Sequence, residues 1–179
     1  MDGDFGTAVA AWNSFFSAVA GVSATLVGLL FVAVGLNPRI MDDDGPTGLR
    51  VWSTHTFHSF VVLLILGIAG LVPASSRETL AVTLSILSVQ GIARVIFDTR
   101  QIRTDPDRRW SGRHALLRFV SPGLAYLAMA LAAYGVWQSD ADALAWLIAV
   151  VFLLMMSALA SCWEILKLIG DLPSPDARR

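Results

Sequence analysis

A chain of 179 residues, 55% of them hydrophobic and 15% charged, with a mean hydropathy of +0.64, falls outside the composition of soluble domains and reads as a membrane protein. Its formal net charge of -1 excludes little, because charges at a bilayer act by position rather than by sum. The single cysteine, Cys162, excludes an internal disulfide and a dithiol redox relay, since both need two thiols.

The N-terminal MDGDFGTAV carries acids where a secretory signal carries Lys or Arg, so the first apolar run is expected to be retained. Crossing the hydrocarbon core takes about 20 mostly apolar residues in a helix. Five stretches meet that demand: 12–36, 52–72, 79–97, 115–137 and 143–163. The expected fold is therefore all-α, a polytopic transmembrane bundle forming a single domain over 1–179. The links are an acidic stretch with MDDDGP, a tight PASSRE turn, a basic DTRQIRTDPDRRWSGRH segment and a short QSDAD turn. Only the third link has room for an interfacial helix. Pro122 reads either as the start of the fourth span or as a kink within it.

With five spans drawn, twelve of the 13 basic residues fall on one side. They are Arg39 and Arg50 in the first link, seven arginines from Arg94 to Arg118 in or beside the third, and Lys167, Arg178 and Arg179 after the fifth span. Arg77 alone is on the other side. The positive-inside rule then sets the N-terminus outside and the C-terminus in the cytoplasm. The six tryptophans agree: Trp12, Trp137 and Trp146 fall at outer ends and Trp52, Trp110 and Trp163 at inner ends, as an aromatic belt requires. Four spans would break both patterns.

Small residues recur along two spans. In the first, Ser17, Gly21, Ala24, Gly28 and Gly35 follow steps of four and three, with Phe31 between the last two. In the fourth, Ser121, Ala125, Ala128, Ala132 and Gly135 do the same. A repeat of 3.5 residues keeps one narrow face toward a partner, and small side chains let backbones approach where lipid supplies no hydrophobic drive. Both seams are expected to be packing faces, with Gly28 and Ala128 at similar depth and able to pair. The other reading of the first span is a water-lined face built from Ser14, Ser17, Ser23 and Thr25, although such hydroxyls can also bond their own helix's carbonyls.

The stretch WNSFFSAVAGVSATLVGLLFVAVGLNPRI resembles the opening of a group of small bacterial multi-span membrane proteins labelled modulator of FtsH protease. The residues that carry the resemblance are Phe15, Phe16, Gly28, Leu29, Phe31, Val32, Ala33 and Asn37. It is confined mainly to residues 12–41 and is one of layout beyond them. The resemblance implies a regulatory or accessory multi-pass protein of a bacterial inner membrane and brings no catalytic residues.

Intramembrane ionisable residues are costly and therefore informative. All of them lie toward the expected cytoplasmic half. His55 and His58 open the second span, Gln90, Arg94 and Asp98 form a stripe on the third, His114 and Arg118 open the fourth, and Glu164 closes the fifth. Arg94 and Arg118 are expected to snorkel to the headgroups or to pair with Asp98 and Glu164; a specific anionic-lipid site is the alternative. No metal or other cofactor is expected. The residues that a zinc-like metal would use are His55, His58, His114 and Glu164, and a haem would sit between the second and fourth helices.

Other chemistry fails on spacing. The run from Asp42 to Gly45 lacks the alternation of a calcium loop. Ser23 lies near mid-bilayer, far in depth from every His, which disfavours an intramembrane serine protease. No phosphate loop is present, and the basic link is explained by the membrane rather than by nucleic acid. The expectation is a non-enzymatic accessory or regulatory subunit whose partners are the bilayer and either further copies of itself or another membrane protein. The alternatives are a homo-oligomeric ion or small-solute channel or transporter, and a His-ligated metal or haem subunit.

Overall fold

Inside lipid a backbone must satisfy its own polar groups, and a helix does so within one segment. The computed structural model describes residues 2–36, 47–72, 77–103 and 113–170, with side chains over 6–36, 53–72, 77–100 and 120–163, and every regular element in these stretches is a helix. In chain order they are α1 (Asp2–Ala11), α2 (Asn13–Leu36), α3 (Thr47–Leu71), α4 (Arg77–Arg103), α5 (Arg113–Trp137), a 3₁₀ helix (Ala141–Ala145) and α6 (Trp146–Gly170). Five segments are long and apolar enough to cross a membrane: Asn13–Leu36, Ser53–Leu71, Arg77–Arg100, Val120–Trp137 and Ala141–Trp163. They coincide with the five runs expected from hydropathy. The acidic first link and most of the basic third link lie outside the described residues.

Helices α3, α4, α5 and α6 close a four-helix ring, α3 packing on α4 and α6, and α5 on α4 and α6. Its interior is filled by large apolar side chains with no exposed surface, including Leu66 of α3, Leu84 of α4, Met129 of α5 and Leu154 of α6. Helix α2 is not part of the ring but lies along the outside of α3. Only 11% of its apolar window is buried, against 50% for α3, so α2 is an appended helix with most of its circumference open.

The α2–α3 seam is shaped by two glycines of α3. A Cβ on Gly67 would come within 2.7 Å of the backbone nitrogen of Ala20, and one on Gly70 would enter the ring of Phe16. Backbone proximity of this kind is how membrane helices gain dispersion contacts against a solvent as apolar as themselves. In the same way the ring of Tyr126 on α5 lies against Gly91 of α4, where a side chain would occupy its place.

Three local features govern the ends. Helix α1 was not foreseen from sequence; it precedes Trp12 and reaches α4 and the 3₁₀ helix at the end of the bundle opposite the basic links. Pro122 lies inside α5 rather than at its start. The α5 terminus closes with Ser139 in the left-handed region at φ 67°, the amide of Asp140 bonding the Gly135 carbonyl at 3.0 Å and that of Ser139 bonding Val136 at 3.1 Å. This is the reciprocal bond pattern that satisfies terminal helix carbonyls. Asp140 then caps the 3₁₀ helix by accepting from the Asp142 amide at 3.0 Å, and the Arg77 guanidinium donates to the Ser139 hydroxyl, tying the start of α4 to this turn.

Candidate functional site

A charge inside a bundle needs a counter-charge from a neighbour, and the antiparallel run of α3 and α4 supplies one. Asp98 of α4 is 1% exposed. One carboxylate oxygen lies 3.2 Å from Nε of Arg94, one turn earlier on the same helix, and the other lies 3.5 Å from Nδ1 of His55 on α3. His55 is as deeply buried as Asp98, whereas 34% of the Arg94 side chain is exposed. His58, one turn further along α3, is half-buried and within electrostatic reach of all three. Tyr126 of α5 is fully buried and adds a hydroxyl that Arg94 and Asp98 both influence. The result is a polar cluster spanning α3, α4 and α5 at the basic end of an otherwise apolar ring.

Serines hold these elements in register. The Ser59 hydroxyl donates to the His55 carbonyl at 3.0 Å, and the Ser88 hydroxyl donates across to the Tyr126 carbonyl of α5 at 2.9 Å. Ser121 of α5 likewise donates to the Leu153 carbonyl of α6 at 3.3 Å. Bonds of the first kind satisfy a hydroxyl within its own helix, while the other two join helices.

Of the polar residues marked in the sequence, His55, His58, Arg94 and Asp98 come together. Gln90 does not: it is exposed, because each step of four along a helix turns about 40° and two steps from Asp98 carry it out of the α3–α4 contact. The side chains of His114, Arg118 and Glu164 lie outside the described residues, and with them the expected Arg118 pairing and the complete metal set. Among the described residues no group of three His, Cys, Asp or Glu side chains is placed to hold a metal ion. Tyr126, Ser59 and Ser88 were missed. Tyr126 lies one residue off the small-residue line of the fourth span, and its burial is visible only once α4 is packed against it.

The two small-residue seams part company. On α5, Ala125, Ala128 and Ala132 are buried, and Gly135 abuts Ala143, so this seam packs as expected. On α2, Ser17, Gly21, Ala24, Gly28 and Gly35 are all exposed, and a Cβ at Gly21, Gly28 or Gly35 would meet nothing within 4 Å. Gly28 therefore does not pair with Ala128: α2 runs along α3, not along α5. The reason is steric. The glycines that permit close approach are on α3, where Gly70 meets Phe16 and Gly67 meets Ala20, and α2 turns this line of residues toward α3, burying Phe16, Val19 and Ser23 and half-burying Leu26 and Val27. That seam has the same repeat as the expected one, displaced by about one residue.

The Ser/Thr residues of the first span do not share a face either. Ser14, Ser17 and Thr25 point outward, Ser23 points inward, and the Thr25 hydroxyl donates to the Gly21 carbonyl at 2.9 Å.

No family model matches the chain, and no curated protein and no solved structure matches it either.

Proposed function

We propose that the protein is a non-enzymatic subunit of a bacterial inner membrane that works by docking a further transmembrane helix onto α2. It is an accessory or regulatory protein of the kind implied by the resemblance of residues 12–41. The observation that carries this reading is the division of α2 into two faces. One face is already satisfied by α3, while the open side presents Ser17, Gly21, Ala24, Gly28 and Gly35 at exposed positions in a helical line, with nothing among the described residues within 4 Å of where a Cβ on Gly21, Gly28 or Gly35 would stand. Lipid gains nothing from such a line, because acyl chains pack equally well on leucine, whereas a second helix gains close backbone contact. Beside the line stand Val22, Leu29, Val32 and Leu36, exposed apolar side chains that fit either lipid or a partner helix.

The channel alternative has less support. The ring interior is filled by large apolar side chains, and the outward hydroxyls of α2 would line a path only at the centre of an oligomer. Purified protein in liposomes decides between the two. The docking reading expects no ion flux, together with a Gly28→Leu variant that unfolds at the wild-type temperature as a single chain but fails to assemble. Flux that Gly28→Leu blocks would replace docking by conduction.

A further inference from the structure

We infer that Gln90 of α4 pairs with Gln90 of a second copy of the chain, making a twofold dimer along the outer side of α4. The inference concerns α4 alone and stands whatever α2 docks.

Three observations carry it. The first is depth. Arg77 and Arg100 bound the apolar run of α4, and at the rise of an α-helix Gln90 lies about 20 Å from one and about 15 Å from the other. It therefore stands near the middle of a hydrocarbon core about 30 Å thick. The second is exposure without a partner. Gln90 is exposed, and among the described residues nothing hydrogen-bonds its carboxamide. The hydroxyls of Thr83, Ser85 and Thr99 on the same helix behave otherwise, each donating to the carbonyl one turn back at 2.8, 2.8 and 2.7 Å. Hydrocarbon offers an amide no hydrogen bond, and the side chain is too short to reach either headgroup layer. The third is shape. Ser85, Ile86, Val89 and Gln90 line an open groove between two neighbouring ridges of α4, the form that receives a ridge of another helix.

The occupant follows from the chemistry of the amide. A carboxamide carries both donors and an acceptor, so two of them at one depth exchange two N–H···O bonds and satisfy each other. A twofold axis along the membrane normal brings a residue to the depth of its own copy, with Gln90 near the axis and Ile86 and Ala93 one turn to either side. The other exposed residues from Val82 to Phe97 are apolar apart from Ser85, and they carry no charge that a different partner would have to match. Polar side chains that bond across helices in this way hold membrane bundles together.

The test uses the purified full chain in phosphatidylcholine vesicles, carrying Cys162→Ser and Ile86→Cys, under mild oxidation. We expect a covalent dimer from Ile86→Cys and none from Phe152→Cys, a position 66% exposed at mid-span on α6. Added to Ile86→Cys, Gln90→Leu should raise the protein-to-lipid ratio at half-yield about tenfold, whereas Gly28→Leu on α2 should leave it in place. Because Gln90 is exposed in the single chain, Gln90→Leu should keep the wild-type helix content, which separates lost pairing from lost fold. No covalent dimer at any ratio, or a half-yield ratio indifferent to Gln90→Leu, overturns the proposal. So does benzoylphenylalanine at Val89 that, illuminated in native membranes, gives a product other than twice the 19.3 kDa chain, since that result assigns the face to a different protein.

Discussion

Gly67 of α3 lies so close to Ala20 of α2 that a Cβ would stand 2.7 Å from the Ala20 nitrogen and 2.9 Å from its Cα. The obstacle is backbone, which cannot rotate aside as a side-chain tip can. Gly67→Leu should therefore force α2 off α3 and cost about 1 to 3 kcal/mol or detach the helix outright. Gly28→Leu, on the open side of α2, should leave single-chain stability unchanged. Thermal unfolding of the two variants in detergent checks the contrast; equal losses would mean that α2 packs by its other face.

Arg94 and Asp98 should respond unequally to substitution. Arg94→Leu leaves a 1%-exposed carboxylate without its permanently charged neighbour and should cost about 3 kcal/mol, as when one partner of a buried pair is removed. Asp98→Leu should cost less, because the released guanidinium has a route to the headgroups. The double substitution should recover much of the Arg94→Leu loss. A double variant no more stable than Arg94→Leu would show that the pair is not the source of the cost.

At the α4–α5 contact, shape should outweigh hydrogen bonding. Ser88→Ala removes the bond to the Tyr126 carbonyl and should cost about 0.6 kcal/mol, the average for such bonds in membrane bundles. Gly91→Leu must displace the buried Tyr126 ring and should cost several times more. Chemical unfolding of both variants in mixed micelles gives the ratio, and a larger Ser88→Ala effect would contradict it.

The positive-inside rule applied to the charge distribution predicts the turn at Ser139 outside and the third link inside. In a Cys162→Ser background, Ser139→Cys should react with an impermeant thiol reagent added to intact cells, whereas Ser111→Cys should react only after lysis. The reverse pattern would invert the orientation.

Span number and span limits were legible because hydropathy acts within one segment, and a run such as 143–163 needs no knowledge of its neighbours. The seam of α5 was legible for a related reason: Ala125, Ala128 and Ala132 mark a small face that packs directly on the helices of its own ring. The seam of α2 was not, because a face of small residues states only that close approach is possible. Which helix approaches depends on where the complementary glycines lie, and Gly67 and Gly70 sit on α3 among large apolar residues that mask them. For the polar cluster, depth could be read from the chain and rotation could not. His55, Arg94 and Asp98 share a level and meet, whereas Gln90 belongs to the same stripe and turns away.

Docking of another transmembrane helix on the open side of α2 should be visible as a cross-link from that side of the helix alone. The most direct measurement places a photo-reactive benzoylphenylalanine at Val32, which is 58% exposed beside the Gly28 and Gly35 line, and, as a control, at Leu127, which is 53% exposed on α5. Illumination of native membranes should give a discrete higher-mass protein product from Val32 and not from Leu127, and Gly28→Leu should abolish it. Labelling of lipid alone at both positions, or a Val32 product that persists in Gly28→Leu, would contradict the docking account.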